Sequence, residues 1–277
     1  MFDAENLTYI TGRKTLLQQV SFRARPGEVL AVVGANGAGK STLLRLLSGD
    51  LRPTAGHLRF DGQPLAAQPA AALARRRAVL TQQHGLALAF TVRELALMGR
   101  YPHFGHTPTV HDYAVVDTAL HTVGLTALAG RDYPTLSGGE QQRAQLARVL
   151  AQVWEAENGF LLLDEPLTGL DPLHQHHTLA VVRDLAHERG FGAVVVLHDL
   201  NLAAQYADQV LLLRQGQVVA HGTPAAVLTC EFIHHGFGLD VELLTHPRLG
   251  CPLIVACPQR SQAAGPGSAF LPLNVLS

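Results

Sequence analysis

The 277-residue sequence predicts an α/β fold built on a mostly parallel sheet, and three observations carry that prediction. Four short apolar runs, VLAVVG (29–34), FLLLDE (160–165), AVVVLHD (193–199) and QVLLLRQG (209–216), are continuous rather than alternating, as strands buried on both faces are. Helix-like stretches stand between them: KSTLLRLLSG after the first, and LHQHHTLAVVRDLAHERG, ending on a glycine stop, after the second. Hydrophobic residues make up 47% and charged residues 16% of the chain, enough apolar material for the core that strand–helix alternation requires.

The first run opens into GANGAGKS (34–41), which matches G-x-x-x-x-G-K-[ST] in its required setting, after a strand and at the start of a helix. Gly34, Gly37 and Gly39 let backbone N–H groups, with those of Ala35, Asn36 and Ala38, turn inward on phosphate oxygens. The helix N-terminus at Lys40 and Ser41 adds partial positive charge. Lys40 is placed to reach β- and γ-phosphates, and the Ser41 hydroxyl to ligate Mg²⁺. Lysine occurs only here and at Lys14.

Residues 83–154 carry no comparable run and read as helical. Within them EQQRAQLARVLAQVW sets Ala147, Leu150, Ala151 and Trp154 on one face. The second run then delivers Asp164 to a strand's C-terminal end, where α/β sheets bind ligands and an acid can hold Mg²⁺. Glu165 follows it, where a carboxylate can orient or deprotonate the water attacking a γ-phosphate. The third run brings His198 to a third strand end. Past residue 223 the pattern weakens, and 261–277, small and rich in Gly, Ala and Pro, reads as a flexible tail.

LSGGEQQR (136–143) reads as a second anion cradle: the Ser137 hydroxyl, the N–H groups of Gly138 and Gly139, and a helix N-terminus, with no lysine of its own. With one phosphate loop in the chain, such a cradle needs a nucleotide held by another copy. The expectation is a head-to-tail pair with ATP sandwiched at two equivalent sites.

A net charge of −1 argues against a nucleic-acid partner. Cys230, Cys251 and Cys257 form no C-x-x-C pair and read as free thiols of a reducing compartment. Neither a signal segment nor a membrane-spanning run is visible, so a cytosolic chain reaching the membrane through a partner is expected.

These motifs in this order resemble the nucleotide-binding subunits of ABC transporters up to about residue 258: GANGAGKST, Gln82 in VLTQQ, LSGGEQQR, FLLLDEP with LTGLD, and LHD. The resemblance implies a P-loop NTPase (RecA-like) core over 1–82 and 155–225. An N-terminal antiparallel β region, a helical subdomain inserted at about 83–154 and an extension over 226–260 go with it. ATP and Mg²⁺ are the implied cofactors. Thr42 joins the phosphate loop, and Gln82 senses the γ-phosphate and Mg²⁺ at the hinge of the helical insert. Asp171 links the two sites across the dimer, His198 acts as a switch, and Tyr9 stacks on adenine. Thr81 departs from the proline many relatives have before that glutamine. The implied partners are a second copy, a polytopic permease dimer and, indirectly, a periplasmic substrate-binding protein. The implied place is the cytoplasmic face of the bacterial inner membrane. A soluble repair or translation ATPase would carry a long coiled coil or a second ATPase domain, and a P-loop kinase would not carry LSGGEQQR. MGRYPHFG, VLHDLNLAAQYAD and HPRLGCPLIV are similar to ATPases of iron-chelate, heme and cobalamin importers. RDYPTLSGGEQQRAQLARVLAQVW, HQHHTL and VWEAENG point among these to heme, with ferric siderophore and cobalamin as alternatives.

Overall fold

The computed structural model describes residues 1–81 and 90–257. In chain order they form β1 (Phe2–Thr11), β2 (Lys14–Ala24), β3 (Val29–Val33), α1 (Lys40–Leu47), β4 (Ala55–Phe60), β5 (Gln63–Pro64), α2 (Ala70–Arg76) and β6 (Arg77–Leu80). Next come α3 (Val92–Met98), α4 (Val110–Thr122), α5 (Gly138–Val153), β7 (Phe160–Asp164), α6 (Pro172–Arg189), β8 (Gly192–Val196) and α7 (Leu200–Tyr206). β9 (Gln209–Arg214), β10 (Gln217–Gly222), α8 (Pro224–Val227), α9 (Cys230–Phe237), β11 (Val241–Thr245) and β12 (Pro252–Ala256) complete them.

A six-stranded sheet ordered β10-β9-β3-β8-β7-β6 is parallel except for β10 at its edge. A four-stranded antiparallel sheet, β2-β1-β4-β5, lies beside it, and β11 pairs with β12. The continuous runs are explained by two cores. On β3, Val29, Ala31 and Val33 face a core shared with α3–α7, while Leu30 and Val32 face a second core shared with the antiparallel sheet and α1. The same alternation splits Leu161 and Leu163 of β7 from Phe160 and Leu162. Apolar side chains are therefore needed at every position. In the second core α1 places Leu43, Leu44, Leu46 and Leu47 between the sheets, beside a cluster of Phe2, Phe60 and Phe160 with ring centroids 4.6–5.7 Å apart.

Two elements go beyond what the sequence pattern shows. β6 did not stand out in the sequence because it has four residues at a sheet edge, with only Ala78 and Leu80 fully buried. α5 does not bury one stripe. Ala144, Leu146, Ala147, Val149, Leu150, Ala151 and Val153 are all buried, because α2, α3, α4, β6 and β7 pack around the helix, and half-buried Trp154 lies just past its end. Among the described residues no helix is long and apolar enough to cross a membrane. The expected tail, 261–277, lies outside the described residues.

Candidate active site

The parallel register aligns the strand ends. Val32 of β3 and Asp164 of β7 both pair with Val196 of β8, which stands between the two strands. The phosphate loop leaving β3, the acid ending β7 and His198 just past β8 therefore emerge at one rim.

At Gly39 the backbone is left-handed, with φ 104°, and a Cβ there would sit 2.8 Å from the Leu16 carbonyl oxygen and 2.7 Å from Leu17. Only glycine lets α1 start this close to β2. No side chain caps α1, and its first turn holds no acid, so its leading N–H groups are left for an anion. Ala35, Asn36 and Gly37 are exposed along the loop, whereas Ala38 and Lys40 are buried; Thr42 is half-buried in the first helical turn. Lys40 Nζ donates to the carbonyl oxygens of Gly34 (2.7 Å) and Ala35 (3.2 Å). Burial lowers its pKa from the ordinary lysine value, and the negative charges of Glu165 and Asp164 oppose that shift.

The Ser41 hydroxyl donates to Asp164 Oδ1 at 3.3 Å. Burial raises the Asp164 pKa and the neighbouring Glu165 charge adds to the rise, while the Ser41 hydrogen bond, Lys40 and His198 act against it. A half-buried carboxylate beside a hydroxyl is a hard-oxygen donor set of the kind Mg²⁺ accepts together with phosphate and water. These residues thus fit the ion. Glu165 adopts φ 51°, left-handed for a non-glycine residue, at the point where β7 ends. That turn takes its side chain off the strand's alternation, and its Oε1 lies 2.6 Å from His198 Nε2. Backbone strain of this kind costs about 1–3 kcal/mol and is held by its surroundings. A cavity of about 260 Å³ adjoins Glu165, Thr168, Gly169 and His198.

Tyr9 pairs with Leu17 in the β1–β2 ladder, on the strand pair that abuts Gly39, and its half-buried ring packs on the second core. Gln82 lies outside the described residues. Ser137 caps α5 in a reciprocal capping box: its Oγ accepts from the Glu140 N–H (3.3 Å), and its own N–H and hydroxyl donate to Glu140 Oε2 (2.8 and 2.9 Å). The hydroxyl is thus engaged within its own helix. Gly138 has open space where a Cβ would point, and a Cβ on Gly139 would sit 3.3 Å from the Leu170 side chain. Asp171 caps α6, accepting from the His174 N–H (2.9 Å), with its other oxygen 2.8 Å from His174 Nδ1. His176 Nδ1 lies 2.9 Å from the Tyr206 hydroxyl and His177 is exposed, so His174, His176 and His177, whose i, i+2, i+3 spacing does not share one helical face, meet different surroundings.

Four further residues border the site without having been assigned to it from the sequence. Glu140 was legible, because S-x-x-E before a helix is a capping-box signature. Gln142, which donates from α5 to the Pro166 carbonyl oxygen (3.1 Å), was not. Neither was Arg214 with His235, 3.2 Å apart, which share a cavity of about 310 Å³ with residues 35–38 of the phosphate loop.

The family described as ABC transporter matches residues 17–168. The hemin import ATP-binding protein HmuV of Gloeobacter violaceus is 56% identical over 87% of this chain and 88% of its own length. Its counterpart of the same name from Pseudomonas aeruginosa is 49% identical over 92% of this chain and 100% of its own. Among solved structures, an inward-facing conformation of a putative metal-chelate type ABC transporter is 31% identical with a TM-score of 0.80, covering 93% of this chain and 97% of that one. A dimeric post-hydrolysis cassette, MJ0796 with ADP and Pi, is 25% identical with a TM-score of 0.71, over 81% of this chain and 99% of that one.

Proposed function

The chain belongs to the ABC transporter family, as an ATP-binding, ATP-hydrolysing subunit, and we propose that it works as a head-to-tail dimer energising heme import through a membrane permease at the cytoplasmic face. The observation that carries the chemistry is the convergence of Lys40, Ser41, Asp164, Glu165 and His198 at one sheet rim.

In this reading the loop from Gly34 to Thr42 wraps the phosphates of ATP, and Lys40 turns from its two carbonyl partners to the β- and γ-phosphates. Ser41 and Asp164, with Gln82, hold Mg²⁺, which when bound neutralises phosphate charge. Glu165 orients and deprotonates the attacking water, and His198, already at hydrogen-bonding distance from Glu165, contacts the γ-phosphate. Tyr9 stacks on adenine. Ser137, Gly138 and Gly139 of the second copy close over the nucleotide, and Asp171 bridges the two sites. Because Ser137 is held by Glu140, the closing contacts fall chiefly to the two glycine N–H groups and the α5 N-terminus.

The cargo reading rests on the relatives named for hemin import, and ATP chemistry itself does not identify the cargo. The test is reconstitution in liposomes with the co-purifying permease and its binding protein. Heme-loaded binding protein should raise ATP turnover and move heme inward. The solved metal-chelate type transporter favours a second reading, a metal-chelate cargo such as a ferric siderophore or cobalamin. Stimulation by a siderophore complex or cobalamin but not by heme would select a non-heme cargo and leave the ATPase assignment standing.

A further inference from the structure

We propose that a cavity behind α1, away from the nucleotide site, binds a small anionic amphiphile, a single carboxylate or phosphate head on an apolar body. The cavity has a volume of about 420 Å³ and lies between the C-terminal end of α1, β4, the turn at Leu65–Ala67 and α2. None of the residues assigned above to ATP or Mg²⁺ lines it. Its size falls in the range of ligand pockets, about 300–1,000 Å³.

Two features of the lining set the ligand's chemistry. The floor is apolar: Leu46, Leu58, Leu65 and Leu73 are each no more than 7% exposed. The charged lining is all of one sign. Arg52, Arg59 and Arg77 contribute, and no aspartate or glutamate does among the described lining residues. Arg59 already meets Glu5 at 3.0 Å. Arg77 differs, because its Nε is shielded from water and has no hydrogen-bond partner. Burial lowers its pKa from the ordinary arginine value, with the Asp50 charge opposing. Arg77 as a whole is half-buried at the cavity wall, and a partly desolvated guanidinium with no acceptor at Nε favours an anion beside it. A neutral apolar guest supplies no such anion, an ammonium is repelled, and a polyphosphate wastes the leucine floor. Leu46 belongs to the helix whose N-terminus holds Lys40 and Ser41, so an occupant backs the phosphate-binding helix from its far end.

A free fatty acid and an anionic lipid share this chemistry, and the test separates them. The full chain is titrated calorimetrically with decanoate, decanol and decylamine, and with vesicles of phosphatidylglycerol or phosphatidylcholine. Decanoate should bind at least about tenfold more tightly than the other two. Arg77→Gln should abolish that preference. Ala66→Trp, at an exposed lining position, should block binding without disturbing the core, with ATP binding and thermal unfolding as folding controls. Retention on phosphatidylglycerol but not phosphatidylcholine vesicles, lost in Arg77→Gln, supports the proposal with a lipid source. Decanoate binding without vesicle retention supports it with a soluble acid. Equal affinity for decanoate and decanol, or decanoate binding that survives both substitutions unchanged, overturns it.

Discussion

Replacing Glu165 by Gln keeps the size of the side chain and removes one negative charge at the point where β7 ends. The left-handed backbone at this residue (φ 51°) has to be held by either side chain, so the fold should be unaffected. The charge lies 2.6 Å from His198 Nε2 and acts on both Lys40 and Asp164. Two opposite effects follow. The water loses its base, a loss of at least about 10² in turnover, or about 2.7 kcal/mol of barrier. Repulsion against the triphosphate also falls. Two unit charges at about 4 Å and an effective dielectric of about 20 interact by about 4 kcal/mol, which is the upper limit of that relief. ATP affinity should therefore be retained or increase. Asp164 should titrate closer to its ordinary value, because one of the causes of its raised pKa is gone. Phosphate release, fluorescent-nucleotide binding and size-exclusion chromatography in ATP measure turnover, affinity and dimer trapping. The expected result is a binding-competent, hydrolysis-dead protein trapped as a closed dimer. Turnover within about threefold of the parent would remove Glu165 from the role of base, and lost ATP binding with intact folding would show that its charge supports Lys40 instead.

Four further outcomes are expected. Lys40→Ala removes a buried ammonium held by two loop carbonyls, and should lower ATP affinity at least about tenfold with little change in thermal stability. Gly139→Asp should leave ATP bound to each chain's own loop yet block the ATP-induced dimer; affinity lost in the monomer would place the cradle in cis. Gly39→Ala puts a methyl group 2.7–2.8 Å from Leu17 and the Leu16 carbonyl oxygen, and should destabilise the protein by about 1–3 kcal/mol while weakening nucleotide binding. Burial alone would raise the Asp112 pKa, but hydrogen bonds from Thr109 and the Arg100 guanidinium at 3.0 Å outweigh it and hold the pKa at about 2 against an ordinary 3.8. Its contribution is full above the ordinary value and is lost as pH falls through about 2. Asp112→Asn should cost about 3 kcal/mol at neutral pH, a drop of about 6–12 °C in Tm, and should flatten the loss of stability between about pH 4 and 2. Equal acid sensitivity in mutant and parent would count against this pair.

Much of the fold and of the candidate site was legible in the sequence because it depends on local backbone chemistry. Strands buried on both faces must be apolar throughout, and a phosphate loop needs glycine where no side chain fits, as at Gly39. Gly34–Ser41, Asp164, Glu165, His198 and the glycine pair at 138–139 could be picked out for that reason. β6 could not, since four residues at a sheet edge carry too little apolar pattern. Tertiary structure alone decided what depends on separation in space. Burial of α5 on several sides follows from its packing on elements distant in sequence. Arg100, itself buried, meets Asp112, the Ala151 carbonyl oxygen and the more exposed Glu155 across as many as 55 positions. The left-handed turn at Glu165 has no signature in its own residue type, because glutamate rarely adopts that conformation unaided. It persists where β7 is clamped between β6 and β8, and the surrounding sheet holds the strain that aims this side chain at His198.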